Sequence, residues 1–156
     1  MKKKIIIDYQ EFNTPEELER EDADLLGKAV AACKNSYSPF SKFRVGAALR
    51  LADGKIFTAS NQESVAFPSG MCAERSLLYY VLAKHPKTPI TSIAIAAQKE
   101  GKLTTTPTRP CGACIQVMLD AQERGGRPIK IILGGAEKIE VIPSVNDLIP
   151  FSFDNL

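Results

Sequence analysis

The sequence predicts a three-layer α/β domain, with a mixed sheet of about five strands flanked by helices, and three observations carry that expectation. The elements read from it run helix, hairpin, helix, strand, helix, strand, an order that suits helices packed on both faces of one sheet. Two segments, Ile93-Ala94-Ile95-Ala96-Ala97 and Ile129 to Leu133, are apolar without alternation, as strands covered on both sides are. The chain of 156 residues is long enough for one real core, and no repeat, low-complexity tract or linker divides it, so residues 1–156 are expected as a single domain.

Lys2-Lys3-Lys4 precedes Ile5-Ile6-Ile7, and Asp8 ends that apolar run. A secretory signal needs a longer run and a small-residue cleavage site. The segment is therefore expected as a short strand, and the protein as cytoplasmic. Thr14-Pro15-Glu16-Glu17 has the pattern of a capping box with proline at the first helical position. Leu18, Leu25, Leu26, Ala29, Val30 and Cys33 recur near helical spacing, and Tyr37-Ser38-Pro39 stops the helix by Ser36. Val45 to Leu51 and Ile56 to Ala59 form a hairpin around Asp53-Gly54. Pro68-Ser69-Gly70 breaks the chain before a second helix, from about Met71 to Lys84, ended by Pro86 and Pro89. A polar loop, Gln98 to Arg109, separates the first apolar strand from a third helix that begins near Cys111 and ends at Gly125-Gly126. After the strand to Leu133, Lys138 to Ile142 is a weaker strand and Val145 to Leu148 a helical turn.

Composition excludes several function classes. A formal net charge of +2, with acidic and basic residues interleaved, argues against nucleic acid or an anionic membrane as partner. No stretch approaches the roughly 18 apolar residues of a membrane span. The four cysteines admit two readings, two disulfides in a secreted protein or reduced thiols for metal or catalysis, and the missing export signal favours the second.

Cys72-Ala73-Glu74-Arg75 and Pro110-Cys111-Gly112-Ala113-Cys114 are the informative segments. A catalytic zinc keeps three protein ligands and one open position. Three cysteines lie in these segments with no histidine nearby, so Cys72, Cys111 and Cys114 are the expected ligands of one Zn²⁺, and Glu74 the proton carrier. Helix starts favour thiolate over thiol through the positive end of the helix dipole. Because residues two apart on a helix face different ways, Cys72 must stand at the very beginning of its helix for Glu74 to reach the same pocket. Three thiolates on Zn²⁺ carry a formal −1, and Arg75 is placed to offset it by donating to sulfur.

These segments resemble the nucleoside cytidine deaminases, in their small homotetrameric form, over nearly the whole chain. The matching stretches are Tyr37 to Ala48 (YSPFSKFRVGAA), Asn61-Gln62-Glu63, Cys72 to Arg75, Pro110 to Val117 and the tail Leu148 to Phe153. The resemblance implies the cytidine deaminase-like fold and zinc-dependent hydrolytic deamination of cytidine and deoxycytidine, with ammonia released, as in pyrimidine salvage. It implies that Glu74 relays protons between water, the ring N3 and the departing amino group. Ala73 would give its backbone N–H to the base, Asn61 and Glu63 would hold the ribose, Phe43 would pack on the nucleoside, and Phe153 would reach a neighbouring subunit's pocket. A small nucleoside is then the substrate and a homotetramer the assembly. The family usually has Asn where this chain has Ser64, and Arg where it has Ile115.

Blander readings stand beside these. Cys33 is expected as a small buried hydrophobe. His85, the lone histidine, sits at a helix end where imidazoles meet terminal carbonyls. Phe43 and Phe153 would most often be core residues, so their substrate roles rest on the resemblance. The alternatives to a cytidine deaminase are a deaminase of a related aminonucleoside, a thiol oxidoreductase, which Gly112-Ala113 within the pair and Cys72 disfavour, and a non-catalytic structural zinc domain. A purely structural site has no need of Glu74.

Overall fold

Large and small apolar side chains alternate along the central strands, and that alternation sets the layers. The computed structural model describes residues 1–154. Its strands are β1 (Gln10–Phe12), β2 (Phe43–Leu51), β3 (Ile56–Ser60), β4 (Ile90–Lys99), β5 (Lys102–Leu103), β6 (Lys130–Gly134) and β7 (Ile139–Ile142), and its helices α1 (Arg20–Ala32), α2 (Ala73–Lys84) and α3 (Gly112–Gly125). On β2 and β4, Ala47, Leu49, Ile93 and Ile95 face α2 and α3, whereas Ala48, Ala94 and Ala96 face α1. Bulky residues thus fill the space under two helices, and alanines let the single helix α1 lie close on the other face. Gly46 takes this furthest: a Cβ there would stand 2.0 Å from the Ala29 carbonyl oxygen and 2.7 Å from the Cys33 amide nitrogen.

The strand order is β1-β7-β6-β4-β2-β3, with β5 folded back on the end of β4. β4 and β6 pair in parallel, joined by the crossover through α3, and every other pair is antiparallel. The sheet is mixed and lies between helices, as expected, but it has seven strands where about five were expected. The two additional strands are the short β1 and β5, of three and two residues, too short for a periodic signal.

Two local expectations need correction. Ile5-Ile6-Ile7 forms no strand; these residues are exposed, and pairing starts at Gln10, opposite Val141. Three consecutive isoleucines offer no alternation that would put one face on a core. The capping box also closes a 3-10 turn, Pro15–Glu17, instead of α1 itself. Glu17 accepts the Asn13 N–H at 2.7 Å, and the chain then runs extended through Leu18 before α1 begins at Arg20.

The topology creates one privileged edge. β3 and β4 both run antiparallel to β2, which lies between them, so their C-terminal ends point the same way. The connections leaving those ends lead to α2 and to α3. Both helices therefore start at the same edge of the sheet. Among the described residues, no helix is long and apolar enough to cross a membrane.

Candidate functional site

Cys72 and Cys111 are the capping residues just before α2 and α3, both with extended backbones (φ −66°, ψ 153° and φ −72°, ψ 164°). That placement frees each sulfur from the helix periodicity and lets it turn across the helix start. Cys114 follows in the first turn of α3 and is fully buried. The strap before Cys72 is fixed by paired bonds: the Gln62 N–H donates to Met71 O at 2.9 Å and the Met71 N–H to Gln62 O at 2.8 Å.

The three sulfurs converge, all lying within 4.8 Å of one another, with Cys111 Sγ and Cys114 Sγ 3.6 Å apart. A disulfide needs about 2.05 Å, and all four cysteines are free thiols. Around a tetrahedral zinc with bonds of about 2.3 Å, thiolate sulfurs sit about 3.8 Å apart. The spacing therefore fits the ion with small adjustments.

Electrostatics point the same way. Burial works to raise the Cys111 thiol, but the N–H groups of Cys114 and Ala113 and the Cys114 thiol outweigh it, leaving Cys111 below the ordinary thiol value. Cys114 is pushed strongly up, first by burial and then by the charge of Glu74 and of the other two sulfurs. Burial and the neighbouring charges thus favour the neutral Cys114 thiol in the bare site. A divalent ion bound there would supply the charge that favours its thiolate.

Glu74, in the first turn of α2, is 5% exposed, and burial raises its carboxyl above the usual range. Arg75 Nη2 donates to Cys72 Sγ at 3.8 Å, and its hydrogen bond to Cys72 makes the guanidinium still harder to deprotonate. Its Nε is buried without a hydrogen-bond partner among the described residues.

A cavity of about 460 Å³ opens beside these groups, lined by Cys72 and Arg75 on one side and by Asn61, Glu63, Ser64, Phe40 and Phe67 on others. That volume is ordinary for a small-molecule site. Asn61 is nearly saturated within the chain: its Oδ1 accepts from Val45 N–H at 2.8 Å and Ser36 Oγ at 2.5 Å, and its Nδ2 donates to Phe43 O at 2.9 Å. One amide hydrogen remains for a ligand. Glu63 accepts from the Phe40 N–H at 2.8 Å and from the Ser41 N–H and hydroxyl. The Ser41 hydroxyl is the chief cause that lowers its pKa.

The other expected residues are placed as follows. Ala73 is fully buried at the first position of α2, where a backbone N–H has no intrahelical partner. Phe43 begins β2, and its carbonyl holds Asn61; the aromatic rings lining the cavity are those of Phe40 and Phe67, in edge contact at 5.5 Å. Phe153 is 66% exposed, its carbonyl accepting from Gln116 Nε2 at 3.0 Å. Cys33 is buried 3.5 Å from the Ala96 carbonyl and away from the cluster. Sequence reasoning passed over Phe40, Ser41 and Phe67 as cavity residues, because loop residues carry no periodic signal.

Residues 2–109 match the family model described as the cytidine and deoxycytidylate deaminase zinc-binding region. A cytidine deaminase of Halalkalibacterium halodurans is 33% identical over 129 residues, spanning 83% of this chain and 91% of the relative. The crystal structure of the Burkholderia pseudomallei cytidine deaminase superposes with a TM-score of 0.70 at 34% identity, covering 87% of this chain and 100% of the other. That of the Mycobacterium tuberculosis cytidine deaminase gives 0.66 at 28%, covering 85% and 96%.

Proposed function

The chain belongs to the cytidine and deoxycytidylate deaminase family, and from that premise we propose that it deaminates free cytidine and deoxycytidine by hydrolysis, with Zn²⁺ held by Cys72, Cys111 and Cys114. One observation carries the reading. Three thiols meet at two helix starts, with a buried carboxylate one residue into α2 and a ligand-sized cavity beside them. When bound, the ion supplies a Lewis acid that makes water acidic enough to attack near neutral pH.

The chain's own residues do the rest. Glu74 takes a proton from the attacking water and passes it to N3 of the pyrimidine, which makes C4 electrophilic. The C4–O bond forms. Glu74 then moves a proton from the new hydroxyl to the amino nitrogen, the C4–N bond breaks, and ammonia and uridine leave. A carboxyl whose burial favours its neutral form is suited to hold that proton between the two transfers. Asn61 and Glu63 orient the ribose, the Ala73 N–H marks the base, and Arg75 offsets the surplus negative charge at the sulfurs. Phe40 and Phe67 wall the cavity that takes the nucleoside, and the resemblance adds Phe43 from the start of β2 and Phe153 from a neighbouring subunit.

We read residues 1–156 as one deaminase domain of a cytoplasmic homotetramer in pyrimidine salvage, with no nucleic-acid or membrane partner. Support for assembly comes from aromatic side chains left on the surface, Tyr79, Tyr80, Phe67, Phe151 and Phe153, all more than half exposed. A second reading, a related aminonucleoside as substrate, is favoured by Ser64, which lines the cavity where the family usually has Asn. A panel of free nucleosides, nucleotides and cytosine, read by ammonia release, separates these. Cytidine is expected to react with loss of absorbance at the cytosine band, in protein carrying one zinc per chain. Zinc-loaded protein inert on every nucleoside would refute the assignment.

A further inference from the structure

The chain leading into Cys111 is held by a side chain where backbone bonds are missing. Residues 106–110 make no backbone–backbone hydrogen bond among the described residues, and Pro107 and Pro110 have no N–H to give. Upstream, the loop is clamped: Ala136 N–H donates to Thr104 O at 2.8 Å and Glu137 N–H to Thr105 O at 3.1 Å. Gly135 lies so close that a Cβ would stand 2.7 Å from the Thr106 carbonyl carbon. Downstream, α3 begins, its Ile115 N–H donating to Cys111 O at 2.9 Å. Within this stretch Thr106 O accepts from Thr104 Oγ1 at 2.9 Å, and among the described residues only Arg109 hydrogen-bonds to the sheet, its Nη2 donating to Glu140 Oε1 at 2.5 Å.

Glu140 stands out on β7. Its neighbours Ile139 and Val141 pack toward α1, so Glu140 faces the layer of α2 and α3. Its side chain is 4% exposed, against 63% for Arg109. A carboxylate so buried is costly unless paired, and Arg109 is its one side-chain partner among the described residues. A strand position next to Leu133 would fill the core better with a hydrophobe. The position holds an acid instead, aimed at the loop that delivers two of the three thiols.

We propose that the Arg109–Glu140 pair is a positioning tether that fixes the entry into α3 and so holds Cys111 in the metal-binding geometry. Cys111 is the exposed member of the three, and its sulfur is directed by the chain just before the helix. Cys72 has its own strap and Cys114 is locked by burial. Loss of the tether therefore acts on zinc retention through Cys111. The inference rests on the reading that these cysteines hold zinc.

The test uses full-length, zinc-loaded protein and times zinc transfer to a chelating dye, beside melting of the zinc-free form. Arg109→Ala should speed release about tenfold or more and also lower the melting temperature, because Glu140 is left buried and unpaired. The double variant Arg109→Ala, Glu140→Leu removes that buried charge. It should melt at or above the wild-type temperature yet still release zinc quickly, a separation that a merely structural role would not give. Arg109→Lys should fall between. Wild-type release rates in the double variant would overturn the tether alone. A wild-type chain that binds no zinc would overturn the metal reading and the tether with it.

Discussion

Replacing Arg75 by Gln tests the charge balance of the site most directly. With the proposed ligands, three thiolates and one Zn²⁺ sum to −1, and the guanidinium 3.8 Å from Cys72 Sγ is placed to offset it. At that distance a unit charge pair is worth about 1 kcal/mol in water and about 4 kcal/mol at an effective dielectric of about 20. If all of it were lost in the transition state, turnover would fall roughly sixfold in the first limit and roughly a thousandfold in the second. Arg75 is only partly exposed and lines the cavity beside Cys72, which puts the expected loss between these limits, at tens to hundreds of fold. Gln keeps a donor without the charge, and the three ligands are untouched, so zinc should remain at one per chain. The assay pairs cytidine turnover, followed in the ultraviolet, with metal content of the same preparation. Unchanged turnover with zinc bound would refute the electrostatic role. Turnover lost in step with zinc would mean that Arg75 holds the ligands in place instead.

Glu74→Gln should lower kcat by roughly 10²–10⁴ with zinc content and fold intact; full rate in zinc-loaded variant would remove Glu74 as proton carrier. Gly46→Ala should cost about 3 kcal/mol, because the added methyl meets the backbone of Ala29 and Cys33, and so lower the melting temperature by roughly 6–12 °C; a wild-type melting curve would show that α1 yields more easily than the packing suggests. The lowered Glu63 pKa sets a pH window: its ionised contacts to Phe40 and Ser41 stabilise the loop above the ordinary carboxyl value of 4.5 and are lost as pH falls through the lower folded value. Affinity for a non-hydrolysable nucleoside should thus be flat from neutral pH to about 5 and drop in Glu63→Gln; calorimetry finding a steep fall above pH 5 in the wild type would assign the sensitivity to another group.

Much of the fold was legible because most of it is periodic. The alternation of Leu49 and Ala48, and of Ile95 and Ala94, encodes both faces of the sheet, and the breaks at Gly70 and Gly126 mark helix boundaries within three residues. What stayed hidden was short or aperiodic. β1 and β5 have too few residues to show a pattern. Ile5-Ile6-Ile7 is strongly β-forming yet finds no partner, since strand propensity describes how a side chain fits a half-buried surface and no such surface is offered there. Phe40 and Phe67, 27 positions apart with the β2–β3 hairpin between them, meet from the segments flanking that hairpin, where neither spacing nor composition announces contact.

The site divides along the same physical line. The identity of each chemical group is local, and CAER and PCGAC show it within a few residues. That Cys72 meets Cys111 is not local: it follows from β3 and β4 sharing a direction across β2, which delivers α2 and α3 to one edge. That Cys111 stays there depends on a contact between positions 31 apart. Even so, one residue hinted at it. Within Ile139-Glu140-Val141-Ile142, an acid interrupts a run that burial would otherwise make wholly apolar, and the cost of burying a charge means such an interruption needs a partner. The partner, Arg109, stands two residues before the thiol whose position it governs.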